Sequence, residues 1–150
     1  MKKIGVISVW AFPLLFSATV CAQQYKMGLG IRIGSPDAVI SSGATFKYFF
    51  KEKTAIETLL TFGDPFAVGL LVAHHQPFAA TGLQWFAGGG GYVGFSGERR
   101  AGLQGVLGLD YKITSLPINF SLDWKPELTL TKEFSFEPAA VGLSARFTLK

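Results

Sequence analysis

Three groups of residues in this sequence could do chemistry. His74 and His75 are the two histidines and stand side by side. Glu57, Asp110 and Asp123 are carboxylates set in otherwise apolar stretches, and Gly88 to Gly91 is a run of four glycines. Each has a structural explanation that competes with a catalytic one. Adjacent strand residues point to opposite faces, so His74 and His75 do not share one metal ion, and polar filling of an interior or an interface accounts for them. The glycine run lacks the following Lys-Ser/Thr and the strand-to-helix setting of a phosphate loop. It also lacks any face preference, which marks a kink or a squeezed place in a sheet. The carboxylates have basic residues to pair with, and charges removed from water require partners. The expectation is therefore no catalytic, cofactor or metal site, and no enzyme.

The elements that must position these residues are strands. From Gln23 onward, eight segments alternate apolar with small or polar residues: 25–34, 38–50, 54–62, 66–78, 83–95, 102–113, 118–130 and 138–149. Period two is the signature of a surface with two different environments. It is clearest at the start, where Tyr25, Met27, Leu29, Ile31 and Ile33 oppose Lys26, Gly28, Gly30, Arg32 and Gly34. Ser35-Pro36-Asp37, Lys51-Glu52-Lys53, Gly63-Asp64-Pro65, Thr81-Gly82 and 114–117 read as turns, with polar loops at 96–101 and 131–137. Pro126 falls inside the seventh segment and removes a ladder donor, so a bulge or an early strand end is expected there.

Composition narrows the environment. Hydrophobic residues make up 49% of the 150 and charged residues only 16%, against about 25% charged in a soluble domain. No run of 18 apolar residues offers a membrane helix. The net charge is +4, of which Lys2 and Lys3 supply two, and no basic stripe suggests nucleic acid.

Residues 1–22 read as a signal peptide: Lys2-Lys3, an apolar stretch over 4–16, and Val20-Cys21-Ala22 before a cleavage point. Export follows, leaving one domain over 23–150. Cys21, the single cysteine, either leaves with the leader or is acylated as the first residue of a lipoprotein. Val20 stands where a lipoprotein signal carries a small residue.

Two barrels fit eight strands. A soluble one has an apolar inside, and a membrane one an apolar outside. The polar face carries Gly, Ser and Thr with isolated charges: Lys26, Arg32, Lys47, Glu57, Asp110, Asp123, Lys125 and Arg146. That is too sparse for a water-facing surface and suits a narrow interior. Five positive charges, or six with Lys112, stand against three negative. Aromatic residues fall into two groups. Tyr25, Tyr48, Phe49, Phe50, Phe78, Trp85, Tyr111, Phe120 and Phe147 lie towards the terminal side. Phe62, Phe66, Tyr92, Phe95, Phe134 and Phe136 lie towards the other, as two girdles would. The expected fold is all-β: an eight-stranded antiparallel up-and-down transmembrane barrel behind a signal peptide.

The stretches 108–112 (GLDYK), 121–127 (SLDWKPE) and 142–149 (GLSARFTL), with the leader and the eight segments, resemble small OmpA/OmpX-type outer-membrane barrels. The resemblance implies residence in outer-membrane lipid. It also implies passage through periplasmic chaperones and assembly by the barrel-insertion machinery. The ending Phe147-Thr148-Leu149-Lys150 departs from the terminal aromatic usual in such barrels, and no periplasmic domain is expected. Some eight-stranded barrels are lipid A deacylases with a His-x-Ser pair. That spacing is missing here, since His75-Gln76 follows His74. A structural or interaction role without catalysis is the leading expectation. A narrow solute or ion channel is the alternative, and a soluble or lipid-anchored periplasmic barrel for an apolar ligand is a third. The oligomeric state stays open.

Overall fold

The computed structural model describes residues 25–63, 66–78, 81–96, 98–131 and 133–150. The expected signal peptide and Cys21 lie outside the described residues.

Ten strand segments follow one another: β1 (Met27–Gly34), β2 (Gly43–Lys51), β3 (Thr54–Thr61), β4 (Phe66–Pro77), β5 (Leu83–Ser96), β6 (Glu98–Lys112), β7 (Ile118–Trp124), β8 (Glu127–Thr129), β9 (Ser135–Glu137) and β10 (Val141–Leu149). Every ladder is antiparallel. β1 to β7 pair in chain order. β10 lies between β7 and β1 and closes the ring. β7 and β8 are one stave interrupted at Lys125-Pro126, because both pair with β6. β9 and β10 are likewise one stave, pairing with β8 and β7 in turn. The result is a closed eight-stranded antiparallel barrel, with no helix among the described residues.

The break at Pro126 meets the expectation. A residue without an N–H cannot continue the ladder to β6, and pairing resumes one residue later. Three expected boundaries are corrected. The polar loop over 96–101 is almost all strand: Arg99, Arg100 and Ala101 pair with Phe95, Gly94 and Val93 across a tight hairpin. The loop over 131–137 ends early, because Ser135–Glu137 pairs with β8. The second segment does not begin at Ala38. Residues 35–42 form no strand and turn inward, burying Ala38, Val39 and Ile40.

The wall is apolar. Leu29, Ile31 and Ile33 of β1 point outward, as do Leu107, Leu109, Phe120, Leu122, Leu143 and Phe147 on neighbouring staves. Among the described residues, exposed charged side chains lie at turns, chain ends and the far end of β6: Lys26, Asp37, Lys51, Glu52, Arg99, Arg100, Glu133 and Lys150. Most of the expected aromatic girdle also faces outward. Tyr25, Phe49 and Tyr92 are corrections, since all three are buried inside.

The glycine run of β5 is a squeezed place. A Cβ on Gly88 or Gly90 would overlap the carbonyl oxygen of Val72 or Leu70 on β4. Any side chain there would push the two strands apart, which explains a run without face preference.

Candidate functional site

The interior is the candidate site, and alternation builds it. On β2, Thr45, Lys47 and Phe49 face inward; on β7 and its continuation, Asn119, Ser121, Asp123, Lys125 and Glu127; on β10, Ser144, Arg146 and Thr148. β3 adds Glu57, β4 His75, and β6 Gln104 and Asp110. Seven of the eight expected interior residues are there: Arg32, Lys47, Glu57, Asp110, Asp123, Lys125 and Arg146.

Lys26 is the exception and is corrected. It is exposed at the terminal rim, its Nζ 5.9 Å from the ring centre of Tyr48. The alternation slips just before β1: Tyr25 is buried, Lys26 is exposed, and the next buried position is Gly28. Tyr25 takes the interior place, packing edge-on against Phe49 at 5.2 Å and donating from its hydroxyl to Asp110 at 3.2 Å. An ammonium keeps its water at the rim, whereas a phenol loses less on burial once hydrogen-bonded.

The lumenal charges form a chain of pairs running along the barrel. Near the termini, Lys47 Nζ lies 2.7 Å from Asp110 Oδ2 and 3.4 Å from His75 Nε2. Asn119 donates to the other oxygen of Asp110. In the middle, Arg146 pairs with Glu57 and donates to Thr45 (3.1 Å), Asn119 (3.2 Å) and Ser121 (2.7 Å). Thr45 itself donates to Glu57 at 2.7 Å. Lys125 bridges onward, 3.6 Å from Glu57 and 2.9 Å from Asp123. Arg32 Nη1 then lies 2.7 Å from both oxygens of Asp123.

Glu127 was not anticipated, although its parity matches Asp123 and Lys125 and would have revealed it. With Glu127 gained and Lys26 lost, the described lumen holds Arg32, Lys47, Lys125 and Arg146 against Glu57, Asp110, Asp123 and Glu127. The expected surplus of positive charge becomes four against four. Neutrality is what a low-dielectric interior demands.

The two histidines separate as strand geometry requires. His74 faces outward and bonds Gln76 and Thr54; His75 faces inward and stacks on Phe86 at 4.9 Å. Among the described residues no cluster of His, Cys, Asp and Glu could hold a metal ion. The four lumenal carboxylates, Glu57, Asp110, Asp123 and Glu127, are each engaged by cations, amides or hydroxyls. Opposite the polar half of the lumen, Leu59, Ala67, Leu71, Ala73, Phe86 and Val106 from β3 to β6 form an apolar half. The arrangement fills the barrel with paired charges on one part of its lining and apolar side chains on another.

Comparison with family models, curated proteins and solved structures finds no match to this chain.

Proposed function

We propose that this chain is an integral outer-membrane β-barrel with a structural or interaction role and no catalysis. One observation carries the reading: the barrel is apolar outside and charged inside. Leu29 is 59% exposed on the wall while Arg146 is 1% exposed in the lumen. In water that distribution wastes the hydrophobic effect; in lipid it is the stable arrangement. An outward apolar band between charged rims is the surface a hydrocarbon layer favours, and such a layer tolerates sheet only when every edge is paired. The leader read over 1–22 supports export and an outer-membrane destination. Outer-membrane lipid, periplasmic chaperones and the barrel-insertion machinery are then the partners.

The neutral, hydrogen-bonded lumen argues against a permanently open bore, in keeping with the interior of an eight-stranded barrel being filled by side chains. The apolar wall argues against a soluble barrel carrying an apolar ligand.

Membrane fractionation with gel mobility before and after boiling tests this. A protein that fractionates with the outer membrane and migrates faster unboiled supports the reading. A soluble periplasmic protein without a mobility shift overturns it.

A further inference from the structure

Residues 35–42 are an unusual loop. Between the turn at Pro36-Asp37 and the polar pair Ser41-Ser42 stand three apolar residues, Ala38-Val39-Ile40. An outward loop would leave this tripeptide exposed at the barrel mouth, which the hydrophobic effect opposes. Instead it folds into the mouth, and Ile40 is 1% exposed. Val39 and Ile40 join the apolar half of the lumen, beside Leu59, Leu71, Tyr92 and Val106. Two inward-facing glycines make room. A Cβ on Gly69 would stand 3.4 Å from Ile40 Cδ1, and one on Gly94 would stand 3.2 Å from Val39 Cγ1.

Among the described residues, one side chain holds the amides of Val39 and Ile40. The Glu127 carboxylate accepts from Val39 N at 2.7 Å and from Ile40 N at 2.8 Å, one oxygen to each amide. Gln104 Nε2 donates to the same carboxylate at 3.3 Å, and Gln104 Oε1 is buried without a hydrogen-bond partner among the described residues. Glu127 stands at the start of β8, the short segment beyond the Pro126 break. The other bonds of the loop are at its ends: Ser35 N to Val141 O, Ala38 N to Ser35 O, and Gly34 N to Ser42 Oγ. The middle is thus held by one carboxylate and by the burial of Val39 and Ile40 instead of by a ladder, so it opens without breaking strand pairing.

We propose that residues 35–42 are a latch that closes the loop-side mouth of the barrel, with Glu127 as its catch. Its release exposes the loop-side end of the ion-paired lumen to the outside, while the side chains deeper in the barrel stay packed. This rests on the membrane-barrel reading above. The catch works because a carboxylate offers an acceptor to each of two consecutive amides. Glu127→Gln keeps the shape but turns one acceptor into a donor facing an N–H.

The test uses the purified full-length protein in detergent. With Cys21→Ser, a single Ala38→Cys thiol reports opening through its reaction with a hydrophilic maleimide. In the Glu127→Gln background that reaction should quicken at least about tenfold while the boiling-dependent mobility shift is kept. A Val39→Cys/Gly94→Cys disulfide, favoured by the 3.2 Å approach, should hold the loop closed and abolish the faster alkylation until reductant is added. Hydrogen exchange on the unmutated protein needs no variant: the amides of Val39 and Ile40 should exchange faster than the ladder amides of β2. Equal alkylation rates in two folded proteins, or exchange at 39–40 as slow as in β2, would overturn the latch and leave the barrel reading standing. A wild-type protein without the mobility shift would overturn the barrel reading itself.

Discussion

Arg32 Nη1 sits 2.7 Å from both carboxylate oxygens of Asp123, a residue 91 positions further along the chain. The guanidinium lies where a side chain on Gly142 would be, so the glycine of β10 makes the pairing possible. Asp123 also holds Lys125 at 2.9 Å. One carboxylate therefore compensates two buried cations.

Removing that carboxylate should be costly. Asp123→Ala leaves Arg32 without its anion and Lys125 with the more distant Glu57 alone, and breaking a buried pair from one side costs about 3–5 kcal/mol. The urea midpoint of the boiling-dependent mobility shift should fall accordingly. An unchanged midpoint would show that the pair adds nothing.

Lys47 and Asp110 should behave as a unit. Lys47→Met strands a carboxylate that still accepts from Tyr25 and Asn119, and Asp110→Leu strands an ammonium near His75. The double variant should be more stable than the sum of the single losses predicts, with a coupling of about 1–3 kcal/mol. Additive losses in a double-mutant cycle would place the two charges in independent environments.

The wall should reject charge where the rim accepts its loss. Leu29→Arg puts a cation on the outward face of β1 and should cost about 2–4 kcal/mol if that position lies at mid-bilayer. Lys26→Ala should leave insertion into lipid vesicles unchanged, because its side chain is at the rim. Equal insertion yields for the two variants would count against lipid around β1.

Gly88→Val should block the β4–β5 ladder, since even a Cβ there would overlap the carbonyl of Val72. Ala87→Val, one residue away, adds bulk to an outward-facing position and should be tolerated. The fast-migrating unboiled band should be lost in the first and kept in the second. Its survival in Gly88→Val would show that the strands can move apart.

The strand count, the faces of most staves and the break at Pro126 were legible in the chain alone. The physical reason is that alternation is local: two faces with different surroundings leave a period of two wherever the ladder is regular. The same parity marks Asp110, Asp123, Lys125 and Arg146 as neighbours of one interior, and continued past Pro126 it reaches Glu127. What local pattern could not supply was the partner of each charge. Arg32 with Asp123 and Arg146 with Glu57 depend on closure between β1 and β10, which brings distant staves across a narrow lumen. Nor could parity see where alternation slips. Tyr25 replaced Lys26 inside because a ring could pack on Phe49 and bond Asp110 while an ammonium kept its water. The fold of residues 35–42 was hidden for the same reason. Ala38-Val39-Ile40 resembles the start of a strand until Glu127, reaching in from β8, binds the very amides a strand would have given to its neighbour.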